Sequence, residues 1–145
     1  MLPGLWIAIL LVASLLLVHF SQFGIHPEEQ QAVQTLRAAS GALDRASLGV
    51  ITILLAPLAE ETLFRGVLYT WIRDAGYPRL ALWGSSLLFA LVHLNLVTFL
   101  PLLVLALILV ALYERTGNLL ASMAAHGLFN GLNFAMLYLL ERRPG

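Results

Sequence analysis

Cysteine is absent from this 145-residue chain, which removes disulfides and thiolate metal sites from consideration. Lysine is absent too, so all eight basic residues are arginine. Charge of either sign is scarce. Charged residues make up 11% of the sequence and apolar residues 60%, against about 25% and about 45–50% in soluble domains. The formal net charge is zero, so the basic footprint of a nucleic-acid binder is missing and no nucleic-acid partner is expected. Such shortages exclude an ordinary charge-covered surface and point to a chain whose solvent is the lipid bilayer. The length suits one domain.

What is present is a series of apolar runs. Leu2 to Phe20 is long enough to cross a hydrocarbon core of about 30 Å. No basic residue precedes it and no Ala-x-Ala pattern follows, so it reads as an uncleaved anchor. Gly24 to Ala46 is polar, with Pro27 ahead of Glu28-Glu29 as a helix start. Val33, Leu36, Ala39 and Leu43 share a rough stripe, which suggests an interfacial amphipathic helix, with a solvated loop as the alternative. Further runs cover Leu48 to Ile72, Leu80 to Thr98, Pro101 to Tyr113 and Leu119 to Leu140. Turn-rich sequences at 73–79 and 114–118 separate them. The expected fold is all-α: a polytopic membrane helix bundle of about five transmembrane helices, multi-pass in a bacterial cell membrane. Residues 1–46 would form the anchor and linker, 47–140 the core, and 141–145 a short tail. The arginines divide too evenly between the two faces for the positive-inside rule to orient the bundle.

Three charges interrupt the second run at Glu60-Glu61-Thr62-Leu63-Phe64-Arg65. Charges in hydrocarbon cost several kcal/mol unless paired, roughly 2.5–3.5 kcal/mol each on insertion scales. Glu61 and Arg65 are four apart, on one helix face and in the favourable acid-first order. Glu60 lies about 100° further round. The spacing therefore divides the motif into a neutralised pair and one unpaired carboxylate. An unpaired carboxylate in a low-dielectric site suits general acid or base work, while an ionic knot between helices is the structural alternative. Two histidines also lie within apolar runs, His93 and His126. His126 and Asn130 share a face, and Asn133 extends it. Gly127 and Gly131 form a small-xxx-small pair that permits close helix approach. A single membrane histidine is usually an interhelical hydrogen bond. Glutamates, two histidines and an asparagine on three separate runs ask for more.

Glu60-Glu61-x-x-x-Arg65, then Phe89-Ala90-Leu91-Val92-His93, then His126-Gly127-Leu128-Phe129-Asn130 resemble, in order, the three signature motifs of the CPBP intramembrane proteases. That family includes CAAX prenyl proteases and the bacteriocin-processing or immunity proteins called Abi. The segment from Tyr113 to Ser122 is similar to the family as well, and the resemblance covers about Leu48 to Leu140. It implies a glutamic-type endopeptidase acting on a membrane-embedded or membrane-anchored protein or peptide. By motif position, Glu60 and His93 would activate water, His126 and Asn130 would stabilise the oxyanion, and Glu61 and Arg65 would support the site. The chain is shorter than many members. It resembles the compact bacterial ones, including the myxosortase type, which process C-terminal sorting anchors.

Two alternatives stay open at the level of sequence. A bundle with this polar core could be a non-enzymatic binding or immunity module, and buried Glu and His also build proton relays. Zinc is the runner-up cofactor, since His, His and Glu are respectable ligands. However, no His-Glu-x-x-His occurs, and the expectation is a mechanism without a cofactor.

Overall fold

A computed structural model describes residues 34, 35, 38, 39 and 41–141, with side chains through Leu139. The expected anchor at Leu2 to Phe20, most of the polar linker, and the tail beyond Glu141 lie outside these residues. The described part is all-α, with four helices in sequence: α1 Ala42–Asp74, α2 Pro78–Leu91, α3 Leu96–Thr116 and α4 Leu119–Glu141.

Local chemistry sets the helix ends. Gly41 precedes α1, and its N–H donates to Asp44 Oδ2 at 3.2 Å, which fills an orphan donor and puts an acid near the positive helix end. Pro78 opens α2, where its missing N–H has no intrahelical use. Asn95 Oδ1 accepts from the N–H groups of Val97 and Thr98 at 3.1 and 3.0 Å and so starts α3. Gly117, at φ +60°, closes α3 in the left-handed conformation, its N–H donating to Tyr113 O at 2.8 Å.

Helix α1 is not uniformly α-helical. Ile51–Leu55 and Thr62–Tyr69 are wound as π-helix, a form that concentrates at functional sites. Pro57 follows the first of these stretches and is buried. A proline here removes one backbone hydrogen bond, and the helix absorbs the loss as a widened turn rather than a break.

The four helices run alternately up and down. The last turns of α1 and α3 meet: Tyr69 and Tyr113 pack edge to face at 6.2 Å, and Arg73 Nη1 lies 3.3 Å from Glu114 Oε1. Phe64, Phe89, Ala90, Leu102, Leu105, Ala106 and Leu109 form the main core. Buried small residues such as Ala81, Ser85, Ser86 and Ser122 let the helices approach. Leu54, Leu58, Val67, Trp71, Leu87 and Leu88 point outward, an apolar exterior suited to lipid. Helices α1 and α3 are long and apolar enough to cross a membrane.

Two boundaries differ from the sequence reading. The run from Leu80 to Thr98 is not one helix; α2 stops at Leu91, and a turn leads into α3 at Leu96. The reason is Asn95, whose side chain caps the next helix. The following helix therefore starts five residues before Pro101, which sits inside it. Helix α1 also begins at Ala42, ahead of the apolar run at Leu48, because residues 42–47 continue its amphipathic first turns.

Candidate active site

The motif on α1 places its charges as the helical spacing requires. Arg65 Nη1 donates to Glu61 Oε1 at 2.9 Å, and both side chains are essentially solvent-free, at 1% and 0% exposure. Arg65 Nη2 reaches across to the carbonyl of Ala106 on α3 at 3.0 Å. That bond is available because Ala106 has no side chain bulk to hold the helices apart. The guanidinium also stacks over the Phe89 ring, 4.7 Å from its centroid, as a desolvated cation does well to.

His126 on α4 joins both glutamates. Its Nδ1 lies 2.9 Å from Glu61 Oε1, and its Nε2 lies 3.7 Å from Glu60 Oε2. The first distance is a hydrogen bond and the second is an electrostatic approach. Glu61 cannot donate while it is ionised against Arg65, so His126 Nδ1 carries the proton of that bond. Glu60 differs from its neighbour in being 31% exposed. It is the carboxylate that water can reach.

His93 lies in the turn after α2, not deep within a helix. Its Nδ1 faces Phe89 O at 2.7 Å. A carbonyl only accepts, so Nδ1 bears hydrogen and Nε2 is left as the acceptor of the neutral ring. His93 forms no hydrogen bond or ion pair with Glu60 among the described residues. Phe89 stands between the histidines, with ring centroids 4.9 Å from His93 and 5.6 Å from His126. The next residue, Leu94, holds a left-handed φ of +49° and is exposed, a conformation that costs a leucine about 1–2 kcal/mol.

Asn130 is placed one turn beyond His126. Its Nδ2 donates to Thr52 O on α1 at 3.0 Å, so its carboxamide is anchored to backbone rather than to His126 or Glu60. Glu60, Glu61, Arg65 and His126 thus come together, whereas His93 joins them through Phe89 and Asn130 through α1. Phe89, the first residue of the second motif, takes a packing role that the motif did not assign. Two participants were invisible to motif reasoning. The Ala106 and Thr52 carbonyls carry no side-chain signal at all.

Among the described residues, Glu61 Oε2, Arg65 Nε and Ser86 Oγ are buried polar atoms with no hydrogen-bond partner. Buried polar atoms of this kind are commonly met by internal water. Among the described residues no three His, Asp or Glu side chains are grouped to hold a metal ion, and both His126 nitrogens already face carboxylates.

An all-α bundle with an ion-paired Glu-Glu-Arg motif, bridged by a histidine from another helix, defines a membrane-type polar core. Residues 42–132 match the family described as Type II CAAX prenyl endopeptidase Rce1-like. The match spans more than half the chain, and the chain belongs to that family. It is 40% identical over 80 residues to the uncharacterized protein YpbD of Bacillus subtilis, covering 52% of this chain and 38% of that protein. It is 33% identical over 89 residues to the UPF0177 protein YxdF of Lactococcus lactis, covering 61% of this chain and 49% of that protein. The chain therefore spans less than half the length of these curated relatives. No solved structure matches it.

Proposed function

We propose that the chain is a multi-pass intramembrane endopeptidase that hydrolyses a peptide bond of a membrane-anchored protein or peptide. The observation that carries this reading is the double approach of His126 to Glu60 and Glu61, with Arg65 bonded to only one of them. Charge bookkeeping then assigns roles. Arg65 neutralises Glu61, and Glu60 is left as the carboxylate open to water. With Nδ1 held by Glu61, His126 turns Nε2 toward Glu60, where a proton on Nε2 would make a donor suited to an oxyanion. Glu61 holds His126 from the other side and keeps that donor aimed.

Glu60, open to water on one side, takes a proton from the attacking water, helped by the free Nε2 of His93. The oxygen bonds to the scissile carbonyl carbon, and the oxyanion is met by His126 and an Asn130 N–H. As the C–N bond breaks, the proton held by Glu60 passes to the leaving nitrogen. Atoms and charge balance without a co-reactant. The apolar exterior fits a substrate that is itself membrane-anchored, and C-terminal sorting anchors of bacterial surface proteins are the substrate class we favour.

The test is co-expression with a panel of membrane-anchored candidates, reading trimming by mass spectrometry. Glu60→Gln should abolish trimming, a loss of at least about 10²–10⁴-fold for a general base, while the protein stays folded. Chelator treatment of the purified enzyme should leave cleavage intact. Inactivation by chelator with rescue by zinc would overturn the base assignment. Intact substrates across the panel would favour a binding or immunity module.

A further inference from the structure

The Asn130 carboxamide is held by a carbonyl that its own helix has left unpaired. Thr52 O would ordinarily accept from the N–H of residue 56 in an α turn, or of residue 57 in a π turn. Ala56 donates instead to Ile51 O, five residues back. Residue 57 is proline and has no N–H. A carbonyl without a partner in apolar surroundings is costly, and proline within a membrane helix is tolerated where a neighbouring helix supplies the missing donor. Asn130 Nδ2 supplies it at 3.0 Å. The approach is possible because Gly127 lies one turn earlier on α4, where a Cβ would stand 2.6 Å from Ile53 O.

We infer that Pro57 is a positioning residue of the site: by withholding an N–H it frees the Thr52 carbonyl, which fixes the Asn130 carboxamide. A carboxamide is planar and its nitrogen carries two protons. Bonding one of them to Thr52 O sets the direction of the other. The inference rests on the reading of Asn130 as an oxyanion donor, whose geometry must be fixed before charge develops. Pro57→Ala restores the N–H and lets the segment return to an α register, in which Ala56 bonds to Thr52 O and Asn130 loses its anchor.

The purified full chain in detergent micelles, with ¹⁵N in its asparagine side chains, offers four carboxamide signals, from Asn95, Asn118, Asn130 and Asn133. One Asn130 proton should exchange with solvent about tenfold or more slowly than those of exposed Asn118. Pro57→Ala should abolish that protection and leave Asn133, bonded to Phe129 O at 2.8 Å, unchanged. A general loosening of the fold would move both signals, so the contrast isolates positioning. Pro57→Ser supplies the same N–H and serves if the alanine variant does not fold. Asn130 protection surviving in these variants, or fast exchange of Asn130 in the parent, overturns the inference. A fully active Asn130→Ala enzyme in the trimming assay would instead remove the catalytic meaning of an intact anchor, so the two failures are distinguishable.

Discussion

Glu60 and Glu61 are neighbours in sequence and opposites in environment. Glu61 is fully buried and bonded to Arg65 and His126, while Glu60 keeps a third of its surface open and only approaches His126. Isosteric amide substitutions should separate them. Glu61→Gln removes the partner of a buried guanidinium and an imidazole, and breaking a buried pair costs about 3–5 kcal/mol. Glu60→Gln removes a charge that water already reaches, and its stability cost should be below about 1 kcal/mol. Thermal unfolding in detergent should show a large drop in midpoint for Glu61→Gln and little change for Glu60→Gln, with trimming lost in both. Equal destabilisation would mean that both carboxylates are structural. The Glu61–Arg65 pair was legible in the sequence because i,i+4 spacing fixes it. The bond from His126 Nδ1 to Glu61 was not, since it depends on how two helices 65 residues apart are rotated.

At the scale of elements, apolar runs and turn chemistry located α4 and the C-terminal end of α1 well, while α1 starts six residues before its apolar run. The boundary between α2 and α3 was missed because Asn95 sits in an apolar run with no glycine or proline beside it, and only its capping bonds reveal the break. The π-helical stretches were likewise unreadable, because periodicity cannot register one extra residue in a turn. The Gly127 and Gly131 pair was readable as a close-packing face. Its two members are nevertheless unequal: a Cβ at Gly127 meets the Ile53 carbonyl at 2.6 Å, whereas at Gly131 it meets Ile53 side-chain carbons at 3.7 Å. Gly127→Ala must push α4 away from α1, at about 1–3 kcal/mol for overpacking, and should draw His126 off both glutamates. Gly131→Ala makes only ordinary contact. Trimming and unfolding midpoint should fall together in the first variant and stay near parental values in the second. A harmless Gly127→Ala would show that the α1–α4 contact is looser than described.

The bundle as a whole places its turns at different depths. The contacts of Tyr69 with Tyr113 and Arg73 with Glu114 put the ends of α1 and α3 at one end of the molecule. Helix α2 has 14 residues, which is ~21 Å at 1.5 Å per residue, short of a hydrocarbon core of about 30 Å. With α1 and α3 crossing the bilayer as proposed, the turn carrying His93 would stop within membrane depth, where a substrate held in the bilayer would meet it. The absence of native cysteine makes this measurable, since each introduced thiol is the only one in the chain. Ala75→Cys and Arg115→Cys should both react with a membrane-impermeant maleimide added from the same side of sealed vesicles. Leu94→Cys should resist that reagent from either side and react with a permeant one. Labelling of Ala75→Cys and Arg115→Cys from opposite faces would contradict the parallel course of α1 and α3. Rapid impermeant labelling of Leu94→Cys from the opposite face would place His93 outside the membrane and remove the case for proteolysis within it.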